Sequence, residues 1–95
     1  MGLFVLEYTF SSDAERRLAV RPRHRAYLEQ LARQGIVLAA GPFGGDTGAL
    51  IVYSVEDEPT LLRILDEDPY VQEDVFGTRS IRAWQPFIAW GVEAS

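Results

Sequence analysis

The sequence predicts an α+β fold of order βαββαβ, with two helices covering one face of a four-stranded antiparallel sheet. Three observations predict it. Stretches rich in β-formers alternate with stretches of helical periodicity, glycine or proline punctuates the junctions, and 95 residues with 47% hydrophobic and 24% charged side chains make one folded domain.

Leu3 to Phe10 is rich in β-formers and stops at Ser11-Ser12-Asp13, so it reads as the first strand. A polar segment then leads to a helix from about Pro22 to Gln34. Proline is suited to a helix start, and Gly35 stands at the left-handed position that commonly ends one. Ile36 to Ala40 is a short strand of buried type, halted by Gly41-Pro42. The loop Phe43-Gly44-Gly45-Asp46-Thr47 leads to the third strand, Gly48 to Ser54. The second helix has Ser54 and Asp57 at capping-box spacing; Pro59 is uncomfortable in a helix that starts at Ser54, so a start near Asp57 is equally open, and Leu61, Leu62 and Leu65 form its stripe. Asp68-Pro69 ends it, because a residue before proline is pushed out of the helical region. A short turn or helix through Phe76 precedes the fourth strand, about Arg79 to Gln85. Phe87 to Trp90 is a candidate edge strand beyond Pro86.

This order is the split-βαβ, ferredoxin-like arrangement. Its second sheet face should be polar, and the sequence says otherwise. The first strand sends Phe4, Leu6, Tyr8 and Phe10 one way but Leu3 and Val5 the other, and the third sets Ile51 and Tyr53 against Leu50 and Val52. An uncovered face of that kind predicts a homodimer packed sheet to sheet.

The net charge of −5 argues against a nucleic-acid binder, and no apolar run approaches the roughly 18 residues of a membrane span. Met1 to Leu6 has no basic leader, so the expectation is a soluble, cytoplasmic protein. The absence of cysteine excludes thiol catalysis and thiolate metal sites. All nine basic residues are arginine, which excludes Schiff-base chemistry. A single histidine cannot build a multi-histidine metal site. Asp66-Glu67-Asp68 reads as a solvated carboxylate run, and the glycines of 41–48 lack both the Lys-Ser/Thr pair of a phosphate-binding loop and the G-x-G-x-x-G spacing.

That single histidine, His24, stands with Tyr27, Leu28 and Leu31 at i, i+3, i+4 and i+7, on the apolar face of its helix. A buried imidazole needs a hydrogen-bonding partner, and Asp68 is the best candidate. The blander reading makes His24 a satisfied core residue and Asp68 the cap of its own turn; both roles are compatible. A nearby carboxylate favours imidazolium while burial opposes it, which keeps such a group within reach of neutral pH. Such a base suits proton abstraction beside a carbonyl, or elimination, and needs a group to hold the developing negative charge. Arg21, Ser54 and Tyr27 are the candidates. Ser54 as a hydrolase nucleophile fails for want of a G-x-S-x-G elbow.

Arg21-Pro22-x-His24-x-x-Tyr27-Leu28-x-x-Leu31, Gly35, Ala40-Gly41-Pro42, Gly48, Ser54, Asp68-Pro69-Tyr70 and Ile81-Arg82-x-Trp84 together resemble the YciI-like (YCII-related) family over nearly the whole chain. The resemblance implies a dimeric α+β barrel built from ferredoxin-like protomers. It also implies a histidine–aspartate pair in a pocket, on His24 and Asp68, used in acid–base catalysis, and kinship with muconolactone isomerase and with a dehydrochlorinating enzyme. Ala83, where the family usually has proline, and the Gln85-Pro86 tail depart from the pattern at the pocket rim or dimer edge.

Positive charge gathers in Arg16, Arg17, Arg21, Arg23 and Arg25, negative charge in Glu56-Asp57-Glu58 and Asp66 to Asp74. Read at a helix N-terminus, those arginines oppose the dipole and call for acidic partners or an anionic ligand. Either the acidic runs neutralise them across the dimer, or Arg21 or Arg23 draws an anionic substrate toward His24. The leading hypothesis is thus a small dimeric enzyme with a His24–Asp68 acid–base pair, isomerising a small anionic molecule or eliminating across one of its bonds, with no organic cofactor implied. The alternative is a non-catalytic metabolite-binding or accessory dimerisation module.

Overall fold

A computed structural model describes residues 2–88. It comprises β1 (Gly2–Phe10), α1 (Ala14–Arg33), β2 (Val37–Pro42), β3 (Gly48–Val55), α2 (Glu58–Asp66), α3 (Pro69–Gln72) and β4 (Phe76–Trp84). The four strands form one antiparallel sheet in the order β2-β3-β1-β4, which is the ferredoxin-like arrangement. Leu6 is centred in it, paired with Ile51 on one side and Ile81 on the other. Leu6, Ile51, Tyr53, Leu61, Leu65 and Val75 are fully buried between sheet and helices.

The starts of α1 and β4 differ from the sequence expectation, β2 runs on through Gly41 and Pro42, and α2 takes the later of its two expected starts. Helix α1 begins two turns early, at Ala14, because Asp13 caps it by accepting the Arg16 N–H at 3.0 Å. Pro22 lies inside the helix on its exposed side, where water can satisfy the Leu18 carbonyl that the ring leaves without a donor. Its inward face, Val20, His24, Leu28 and Leu31, is buried and holds the two halves in line. The arginines of 21–25 are therefore mid-helix, where the dipole argument does not apply. Helix α2 starts after Asp57, whose carboxylate takes the Thr60 N–H, so Ser54 is a strand residue and caps nothing. Leu62 faces outward at 43% exposure, leaving Leu61 and Leu65 as the buried stripe.

Other junctions follow the local rules. Gly35 has φ +79°, and the bonds Gly35 N–H to Ala32 and Ile36 N–H to Leu31 complete a Schellman end to α1. Strand β4 starts three residues earlier than expected, at Phe76. Phe87 and Ile88 belong to no strand, and Ala89 and Trp90 lie outside the described residues.

Candidate active site

Three residues from two elements are locked together under the sheet. His24 sits in the middle of α1 and Asp68 at the junction of α2 and α3, and both are buried. Asp68 is placed there because Pro69 forbids it a helical backbone and makes it the cap of α3. Its Oδ1 meets His24 Nδ1 at 2.7 Å and accepts the Tyr70 N–H at 2.9 Å. Tyr70 then lies flat on the imidazole, ring centres 3.7 Å apart and 8° from parallel. One carboxylate oxygen thus fixes both the ring and the residue stacked upon it. A carboxylate at Asp68 would only accept, which would put the proton on Nδ1 and leave Nε2 as the nitrogen to exchange one.

The imidazole borders a cavity of about 270 Å³ between α1 and the β2–β3 end of the sheet. Tyr8, Phe10, Ala49, Ile51 and Tyr70 give it an apolar and aromatic wall. Arg17, Arg21 and Arg25, on successive turns of α1, line the same space together with Glu29 and Asp46. Among the described residues no three His, Cys, Asp or Glu side chains are gathered to hold a metal ion.

The YCII-related domain model matches residues 1–85. The chain belongs to the YCII-related family. Protein YciI of Escherichia coli O6:H1 and that of Shigella flexneri are each 31% identical to it over 94 residues, spanning 87% of this chain and 96% of theirs. Among solved structures, 5-chloro-2-hydroxyhydroquinone dehydrochlorinase from Burkholderia phenoliruptrix, in complex with 2,5-dihydroxybenzoquinone, superposes with a TM-score of 0.77 at 21% identity, over 86% of this chain and 92% of that one. An antibiotic biosynthesis monooxygenase superposes at 0.62 with 11% identity, over 93% and 100%. At these identities the likeness is one of fold.

In this YCII-related chain the expected site residues separate cleanly. His24 and Arg21 line the cavity, and Asp68 lies fully buried behind the imidazole and bonded to it; Ser54 and Tyr27 do not border the cavity. Ser54 alternates with the inward Tyr53 and Val55, which puts it on the opposite sheet face. Tyr27 gives its hydroxyl to the Ile64 carbonyl at 2.6 Å, tying α1 to α2. Arg23 is exposed and off the cavity, whereas Arg17, Arg25 and Tyr70, to which no role had been given singly, are on it. Arg16 pairs with Glu73 and Arg17 with Asp46 within one chain. No membrane-length apolar helix occurs among the described residues.

Burial raises all four tyrosines above their ordinary value near 10, Tyr27 to about 12 and Tyr8, Tyr53 and Tyr70 upward as well. A phenol raised by folding keeps its proton in the folded chain while the unfolded chain loses it. Their contribution is therefore whole below pH 10 and falls as pH rises from 10 through the folded values. Tyrosinate absorbance should stay low at pH 10.5 and rise together with loss of circular dichroism. Four phenols ionising near pH 10 in an intact fold would contradict this.

Proposed function

We propose that this chain is a small dimeric, cytoplasmic enzyme in which His24 and Asp68 act as an acid–base pair on a small anionic organic molecule, by isomerisation or elimination. The observation that carries the proposal is the buried 2.7 Å contact between His24 Nδ1 and Asp68 Oδ1 at the wall of an arginine-lined cavity. Nε2 removes a proton from a carbon next to a carbonyl or to a leaving group. Asp68 holds the resulting imidazolium, and Tyr70 offers it a π face. The pair of electrons released moves toward oxygen, or forms a double bond as the leaving group departs. Arg21 and Arg25 stand on the same cavity to balance the negative charge that develops. A base of this kind contributes about 10²- to 10⁴-fold. The dehydrochlorinase of like fold supports the elimination reading, and its quinone ligand is a sensible first probe.

The dimer belongs to the same proposal. Leu3, Val5, Leu50 and Val52 share the sheet face that none of the three described helices covers, with Trp84, 47% exposed, opposite Leu3. A second copy would bury it.

Nitrogen NMR of the one imidazole tests the pair directly. The wild type should show a single tautomer, protonated at Nδ1 and bare at Nε2, while Asp68→Asn should mix the two, since an amide can donate as well as accept. A wild-type ring bare at Nδ1 would put the proton on Asp68 and remove the base. Turnover of 2,5-dihydroxybenzoquinone analogues that survives His24→Gln would remove His24 as the base, whereas binding without turnover in every form would favour the binding-module alternative.

A further inference from the structure

Arg17 is bound in an incomplete way. Its side chain is only 10% exposed, and its guanidinium carbon lies 4.2 Å above the centre of the Phe10 ring. Nη2 meets Oδ2 of Asp46 at 3.0 Å, while Nε is buried and has no hydrogen-bond partner among the described residues. Nε and Nη2 form one edge of the guanidinium, the edge that grips a carboxylate through two parallel bonds. Asp46 occupies half of it.

Asp46 is also a weak tenant. Its side chain is 60% exposed, and it sits in the 43–47 loop at φ +56°, directly after Gly45 at φ +80°. The left-handed region is open to aspartate but uncommon for it. A solvated carboxylate on a short loop gains little from such a contact, whereas a buried guanidinium with a free Nε loses by having so few partners. The same cavity holds three arginines against Glu29 and Asp46. Moving Asp46 out leaves space and charge for one further anion beside His24.

The geometry points to Arg17 as the anion anchor of the cavity, with Asp46 an internal stand-in that the ligand displaces. The ligand class is a carboxylate on an aromatic or similarly apolar ring: the carboxylate takes Nε and Nη2 together, and the ring lies along Phe10 and Tyr70. This rests on the reading of the cavity as a site for an anionic molecule and names its kind.

Benzoate and benzamide, alike in shape and different in charge, test it by titration calorimetry. Asp46→Asn removes the competitor's charge and should tighten benzoate by up to about fivefold. Arg17→Lys keeps a cation but loses the two-pronged edge, and should weaken benzoate by about tenfold or more. Benzamide should respond to neither change. Asp46→Asn that leaves benzoate unchanged or weaker, or moves both probes alike, overturns the inference, as does benzoate failing to bind every form. Should Arg17→Lys not fold, Asp46→Asn decides alone. If Asp46→Asn is silent and Arg21→Gln alone abolishes benzoate binding, Arg21 is the anchor; this inference then fails and the proposed function stands. If Asp46→Asn tightens benzoate but the His24 tautomer test fails, the anchor stands and the acid–base reading falls.

Discussion

Asp68→Ala is expected to cost about 3–5 kcal/mol of stability, the range for removing one partner of a buried pair. The reason lies in what a single oxygen does. Asp68 is fully buried, and its Oδ1 receives both the His24 Nδ1 proton and the Tyr70 N–H. Alanine would leave two buried donors without an acceptor and α3 without its cap. For a chain of this size the melting temperature should fall on the order of 20 °C. Asp68→Asn keeps the shape and one acceptor, so it should cost much less, about 1–2 kcal/mol. His24→Ala and Asp68→Ala should not add: in a double-mutant cycle the second change costs less once the first is made, because the surviving partner has already lost its bond. Urea unfolding of the two single variants and the double variant reads this out. A loss below about 1 kcal/mol for Asp68→Ala would mean that the carboxylate is replaceable and the pair incidental.

The pairing of His24 with Asp68 was legible because both ends obey short-range rules. Helical spacing turns His24 inward, Pro69 fixes the backbone of Asp68, and a buried imidazole must then find an acceptor. Gly35 was legible for the same reason, as a left-handed helix end. The early start of α1 was obscured by Pro22, a strong start signal, and by the arginines of its first turns, although Val20 continues the His24, Leu28, Leu31 face and Asp13 is a good cap. Ser54 shows a signal that was present and unused: strand alternation sets it with Leu50 and Val52, away from Tyr53 and the cavity. Arg17 and Tyr70 could not be read so simply. Arg17 shares the buried face of α1 with His24, seven residues on, but that spacing emerges only once the helix is known to start at Ala14, and its partner Asp46 comes from the distant β2–β3 loop. Tyr70 matters through a ring stack that requires α1 and α3 to be packed together first.

Val5→Glu is expected to leave the fold intact and abolish the proposed dimer. Val5 is central on the face opposite the helices, with Val52 beside it on one strand and Arg82 beside it on the other. In a lone chain a glutamate at position 5 would stand directly across from Arg82, which already pairs with Glu7 at 3.7 Å and, at 74% exposure, can be shared between the two carboxylates. Between two copies the same residue would be buried twice, since a two-fold interface repeats every substitution. Two carboxylates forced out of water at several kcal/mol each would weaken association by about a thousandfold or more. Sedimentation at micromolar concentration should then show a dimer for wild type and a monomer for Val5→Glu, with matching circular dichroism. A wild-type monomer would mean that Leu3, Val5 and Trp84 meet water in the lone chain, and would overturn the proposed dimer.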